Sequence, residues 1–256
     1  MISRHFLKQG DRNGQKEARN AMKTIGLLGG MSWESSIEYY RIINETVRKR
    51  LGGLHSAKSI MYSVDFADIE RLQEQGRWNE ATALMIDAAE RLERGGADFL
   101  IICTNTMHKM ADAVEAQIQI PLLHIADATA ETLKARDIKQ VGLLGTQFTM
   151  EQDFYKGRLA EKHALKVLVP NQEEREIIHR VIYDELCVGV VSSSSKEAFK
   201  QVINQLAERG AEGVILGCTE IGLLIGEKDS PVSVFDTTKI HAVAAVEYAL
   251  LHDNPF

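Results

Sequence analysis

The chain has 256 residues, 45% of them hydrophobic and 26% charged, with four prolines and a net charge of −6. This is a globular composition with room for one large domain or two small ones, and it excludes a Pro-rich or mainly disordered polypeptide. The acidic balance, without any basic stripe, argues against nucleic acid and anionic membranes as partners, and no apolar run approaches the ~20 residues of a membrane span.

Residues 1–21 stand apart, carrying Arg4, Lys8, Arg12, Lys16 and Arg19 with little apolar periodicity. They are expected to form a disordered extension outside the fold. Residues 23–28 are a short apolar run ending at Gly29 and Gly30, the pattern of a buried strand. A helix is expected over Trp33–Leu51, where Ile37, Tyr40, Ile43, Val47 and Leu51 recur at spacings of three and four. Residues 58–64 predict a strand, Trp78–Arg94 a helix and residues 99–103 a strand, followed by a helix from Met107 and a short strand over 120–125. Strands that are continuously apolar and alternate with helices imply parallel sheets covered on both faces.

The pattern then repeats. Residues 24–29 return as 140–145, and residues 92–104 return as 206–218, at offsets of 116 and 114. A weaker echo sets Pro121, Asp127 and Thr129 against Pro231, Asp236 and Thr238. The fold expected is α/β, with two pseudo-symmetric parallel-sheet halves and a cleft between them. The first half is assigned to residues 22–126 plus 231–256 and the second to 127–230, with a helix over 240–251 returning to the first. Ligands of open parallel sheets collect beyond the carboxyl ends of the strands. Those ends carry Ser32, Thr104, Asn105 and Thr106 in the first half, and Thr146, Cys218, Thr219 and Glu220 in the second.

Cys103, Cys187 and Cys218 are the only cysteines, an odd and sparse set that fits a reducing, cytoplasmic setting. With no Cys/His cluster at ligand spacing, no metal site is expected. Cys218 follows an apolar strand and precedes an expected helix start, a position that lowers a thiol pKa. Cys103 is placed in the core, because neighbours on a strand point to opposite faces. Asn105 and Thr106 suit helix capping or a carboxylate pocket. His108, His124 and His179 fall near the proposed cleft as hydrogen-bonded structural residues, and Ser192–Ser195 suits a loop with an N-cap before a helix over 196–209.

Residues 26–33, the run 103–108, Gly145 and Thr146 with Thr149 and Met150, and the run 217–220 together resemble the aspartate/glutamate racemase family. The resemblance covers residues 22 to about 251. It implies a homodimer, a cleft active site without cofactor, and two opposed cysteines acting as acid and base on the α-carbon of an acidic amino acid. Cys218 matches the second of those cysteines, while Thr104 stands where the first would fall. Where many members carry a basic residue after the second strand, Gln73 is the expected substrate contact. By this resemblance Cys218 and Thr104 are catalytic, and Ser32, Gln73, Asn105, Thr106, Thr219 and Glu220 bind substrate. A decarboxylase or another carbanion enzyme of the same fold, and a non-catalytic amino-acid-binding protein, are the competing readings.

Overall fold

The computed structural model describes residues 22–251. The extension expected at 1–21 lies outside the described residues. The first half contains β1 (Ile25–Gly29), α1 (Trp33–Leu51), β2 (Ser59–Ser63), α2 (Phe66–Glu74), α3 (Trp78–Arg94) and β3 (Phe99–Ile102). A 3-10 turn (Thr106–Met110), α4 (Ala111–Glu115) and α5 (Ile125–Lys134) follow. The second half runs through β4 (Gln140–Gly145), α6 (Gln147–Glu151), α7 (Asp153–His163), β5 (Lys166–Leu168), α8 (Gln172–Asp184), a 3-10 turn (Leu186–Val188), α9 (Ser193–Glu208) and β6 (Gly213–Gly217). It ends with α10 (Ile221–Leu224), a 3-10 turn (Glu227–Asp229), β7 (Ser233–Asp236) and α11 (Thr237–Leu250).

Both sheets are parallel, in the orders β2-β1-β3 and β5-β4-β6-β7. Their central strands β1 and β4 are the two copies of the repeated 24–29 pattern. Each is covered by helices on both faces, which is why they are almost wholly apolar and buried, whereas the edge strands β2 and β5 are partly exposed. Four apolar clusters result, one on each face of each sheet.

Two expectations about strands are corrected. Residues 120–125 do not form a strand; the segment makes one bridge, Leu100 to Leu122, and α5 already begins at Ile125, where the His124 ring accepts from the Ala126 N–H. A helix cap thus interrupts the apolar run. In the second half the matching segment does complete a strand: β7 pairs with β6 in the second sheet, although residues 231–256 were all assigned to the first half. Only α11 returns, burying Ala242, Ala245, Val246 and Ala249 against Tyr39, Ile43 and Val47 of α1.

On α1 the expected apolar face divides. Ile43 and Val47 are buried, but Ile37 and Tyr40 are about half exposed and Trp33 is 61% exposed. No helix among the described residues is long and apolar enough to cross a membrane.

Candidate active site

The ends of β1, β3, β4 and β6 converge on one open-sided cavity. Thr104, from the end of β3, and Cys218, from the end of β6, both line it. Three more of the expected site residues, Gln73, Thr106 and Glu220, also reach it. Its remaining walls are Met31, Phe66, Met107, Thr146, Ile182, Tyr183 and Cys187.

The backbone sets these positions. Gly30 has φ of +95°, and a Cβ there would lie 2.2 Å from the Val64 carbonyl oxygen, so only glycine lets the chain turn from β1 towards α1. That turn delivers Ser32 and Ser35. A Cβ on Gly217 would approach the Leu144 carbonyl oxygen to 2.7 Å, so the strand just before Cys218 also requires glycine.

Glu220 is the hub of the site. It is 4% exposed, yet both carboxylate oxygens are satisfied. Oε1 accepts from Ser32 Oγ at 2.6 Å and from Ser35 Oγ at 2.7 Å. Oε2 accepts from Thr219 Oγ1 at 2.6 Å and from the Cys218 thiol at 3.0 Å. The Ser35 and Thr219 hydroxyls also lie within hydrogen-bond distance of each other, and since each has one proton, one of the two donates to the other in place of Glu220. Donors on both oxygens of a buried carboxylate offset its desolvation.

Burial pushes the Cys218 thiol well above its ordinary range, the Glu220 charge adds to this, and the Glu220 backbone N–H only partly opposes it. This corrects the expected lowering by a helix terminus. The helix after Cys218 has four residues, Ile221–Leu224, too few for a substantial dipole, and a carboxylate sits against the sulfur instead. The resting group is therefore a thiol hydrogen-bonded to a carboxylate. Cys187 lines the same cavity with its thiol also raised by burial. Cys103 is 1% exposed in the core, as expected.

Three expected substrate contacts do not line the cavity. Ser32 is bonded to Glu220, and Thr219 is shared between Glu220 and Ser35. Asn105 is buried and donates through Nδ2 to Thr237 Oγ1 at 3.0 Å, which ties the β3 end to the start of α11. Glu220 does line the cavity, but its oxygens are occupied by protein donors. Thr106 and Thr146 present hydroxyls 3.1 Å apart, one from each half. Gln73 is 6% exposed; its Nε2 faces Met107 Sδ at 3.0 Å and its Oε1 accepts from the Tyr183 hydroxyl at 3.3 Å.

The histidines are structural, as expected. His108 Nδ1 bonds the Thr104 carbonyl at 2.7 Å, and its Nε2 accepts from the Ile125 N–H at 3.2 Å. His179 accepts from the Gln147 N–H at 3.2 Å. His241, unremarked in the sequence, bridges Tyr39 at 2.9 Å and the Leu123 carbonyl at 2.8 Å. Ser35 and Tyr183 also reach the site, on helices rather than at strand ends. Thr146 had a sequence signal, its place at a repeated strand end.

The architecture matches solved structures closely. A candidate Asp/Glu racemase from Yersinia pestis superposes with a TM-score of 0.85 at 55% identity, covering 90% of this chain and 100% of its own. PH1733 from Pyrococcus horikoshii OT3, an aspartate racemase homologue, gives 0.78 at 38% identity, covering 89% and 99%. In sequence the chain is 22% identical over 247 residues to RacX of Bacillus subtilis, a broad specificity amino-acid racemase, covering 90% of this chain and 100% of the relative. Residues 28–245 match the Asp/Glu/Hydantoin racemase family. With the repeated sheets and the paired strand ends, this match places the chain in the Asp/Glu/Hydantoin racemase family.

Proposed function

We propose that the chain racemises amino acids without a cofactor, with Cys218 removing the α-proton and Thr104 serving the opposite face. The observation that carries this reading is the Cys218 thiol hydrogen-bonded to the buried Glu220 carboxylate, in a cavity that Thr104 lines from the other half. No lysine lines that cavity, so the Schiff base on which pyridoxal chemistry depends has no amine there.

The thiol first passes its proton to Glu220 Oε2, 3.0 Å away. The thiolate then takes the α-proton, and the electron pair delocalises into the substrate α-carboxylate. The Thr106 and Thr146 hydroxyls donate to that carboxylate, and such preorganised donors are worth about 3–4 kcal/mol each as charge develops. Thr104, or a water it positions, returns a proton on the other face. The proton left on Glu220 restores that donor through water, so the cycle closes without net proton change.

Aspartate and glutamate are the reference substrates implied by the family, and the α-carbon machinery acts on them without engaging the side chain. A cytoplasmic homodimer belongs to the same reading; the exposed Trp33, Ile37 and Tyr40 on α1 support it. The test is proton NMR of L- and D-aspartate and glutamate in deuterium oxide, before and after dialysis against chelator and a carbonyl reagent. Exchange of the α-proton that survives dialysis is expected. Carbon dioxide release would favour the decarboxylase, and tight binding without exchange would favour a binding protein.

A further inference from the structure

Beyond the reacting pair and the hydroxyls assigned to the α-carboxylate, the cavity has a second group of lining residues joined through Gln73, which meets both Met107 and Tyr183. The group is formed by Phe66, Met107 and Ile182, with Gln73 and Tyr183 as its polar members. The only carboxylate lining the cavity is Glu220, and no arginine or lysine lines it. Lys109, two residues from Met107, is directed elsewhere, with its ammonium 3.9 Å from the centre of the Trp78 ring.

Gln73 and Tyr183 are held loosely. The Gln73 amide N–H donates to a thioether, a weak acceptor, and the Tyr183 hydroxyl makes a long bond of 3.3 Å. Both donors can therefore turn to a ligand at little cost. Burial pushes the Tyr183 hydroxyl up, so it remains a neutral donor. A primary amide fits these groups in both directions, since its oxygen accepts from Gln73 Nε2 or Tyr183 and its N–H donates to Gln73 Oε1. A carboxylate would set a second acceptor against Gln73 Oε1. It would also bring a second acid beside Glu220, with no arginine or lysine lining the cavity to compensate it.

We infer that this group of residues forms a side-chain subsite that favours uncharged, hydrogen-bonding amino acids, those with a terminal amide first, over their acidic isosteres. The inference rests on the racemase reading of the same cavity. Acidic amino acids still turn over, but less efficiently than glutamine or asparagine. Gln73 is the specificity-determining residue, and Tyr183 positions it.

The experiment compares matched pairs, L-glutamine with L-glutamate and L-asparagine with L-aspartate, by α-proton exchange in deuterium oxide. The expected kcat/KM is about tenfold or more higher for the amide of each pair, the scale set by leaving buried polar groups unpaired. The Gln73→Lys variant should move the glutamine-to-glutamate ratio towards the acid by at least about tenfold, because it supplies the missing cation. Equal or faster exchange of the acids by the unmodified protein overturns the inference while leaving the racemase reading intact. A folded Gln73→Lys protein with an unchanged ratio also overturns it. Absence of exchange with all four amino acids overturns the racemase reading, and this inference with it. If Gln73→Lys does not fold, the comparison in the unmodified protein decides alone.

Discussion

Replacing Glu220 with glutamine isolates the proton-handling part of the site, because the side chain keeps its shape and loses its charge. In the structure two side chains meet each carboxylate oxygen: the Ser32 and Ser35 hydroxyls on one, the Thr219 hydroxyl and the Cys218 thiol on the other. Whichever way the amide turns, one of these pairs faces an NH₂ group. Hydroxyls can rotate to accept from it, but the thiol no longer has a base. A positioned general base contributes about 10²–10⁴ in rate, or roughly 3–5.5 kcal/mol in the barrier. The exchange rate at pH 7 should fall by about that factor. The loss should shrink as pH rises, for a reason with a definite sign. Burial and the Glu220 charge both hold the Cys218 thiol high, and removing the charge lets it come down towards its ordinary range. Bulk hydroxide can then generate thiolate that Glu220 no longer makes. The assay is α-proton exchange from pH 6 to 10, with circular dichroism to verify folding. Unmodified exchange at pH 7 in folded Glu220→Gln protein would refute the base role, and a loss that is the same at every pH would make Glu220 a scaffold only.

Thr104→Cys should raise inversion relative to exchange, since a threonine hydroxyl titrates far above neutral pH while a thiol starts near ~8.5; in the unmodified protein exchange of the L enantiomer should outrun inversion, and unchanged rates in a folded variant would count against the assignment. Asp127→Asn should destabilise the chain by about 2 kcal/mol, lowering Tm by roughly 4–8 °C. Burial alone would raise the Asp127 carboxyl, but hydrogen bonds from Arg158, Lys162 and His163 bring it well below the usual range. That stabilisation is present above the unfolded value of ~3.9 and is lost as pH falls towards the depressed one, and a Tm unchanged at pH 7 would show the bonds to be worth little. Burial lowers His241 to about 4 and His124 to about 3, so both are neutral in the fold. Below the unfolded value of ~6.5 the unfolded chain takes up protons that the native chain does not, costing about 1.4 kcal/mol per pH unit per histidine until the folded value is reached. Tm should therefore fall as pH drops from 6.5 to 5, and a flat Tm across that window would contradict it.

The fold was legible because its strongest constraint, burial of a central strand on both faces, writes itself as a continuous apolar run. β1 and β4 carry that run twice, which is why the repeat located both sheets. It also placed Thr104 and Cys218 at corresponding strand ends. Contacts between halves left no local pattern. Ser35 reaches Glu220 across 185 residues of chain, and Tyr183 reaches Gln73 across 110. The apolar spacing of α8 marks Ile178 and Ile182 as core, and Tyr183 lies one step round the helix from that stripe. The thiol's electrostatics were misread for a related reason. The strand-end position suggested a dipole, whereas burial of the sulfur decides, followed by the charge of a carboxylate two residues further on, held in place by hydroxyls from α1.

The central claim is that Cys218 is the group that removes the α-proton. Its most direct test is α-proton exchange of L- and D-amino acids in deuterium oxide by the folded Cys218→Ala protein, with Cys103→Ala as the control. Cys103 lies in the core, away from the cavity. The account predicts no detectable exchange with Cys218→Ala and retention of most exchange with Cys103→Ala. Exchange at the unmodified rate in folded Cys218→Ala protein would contradict it.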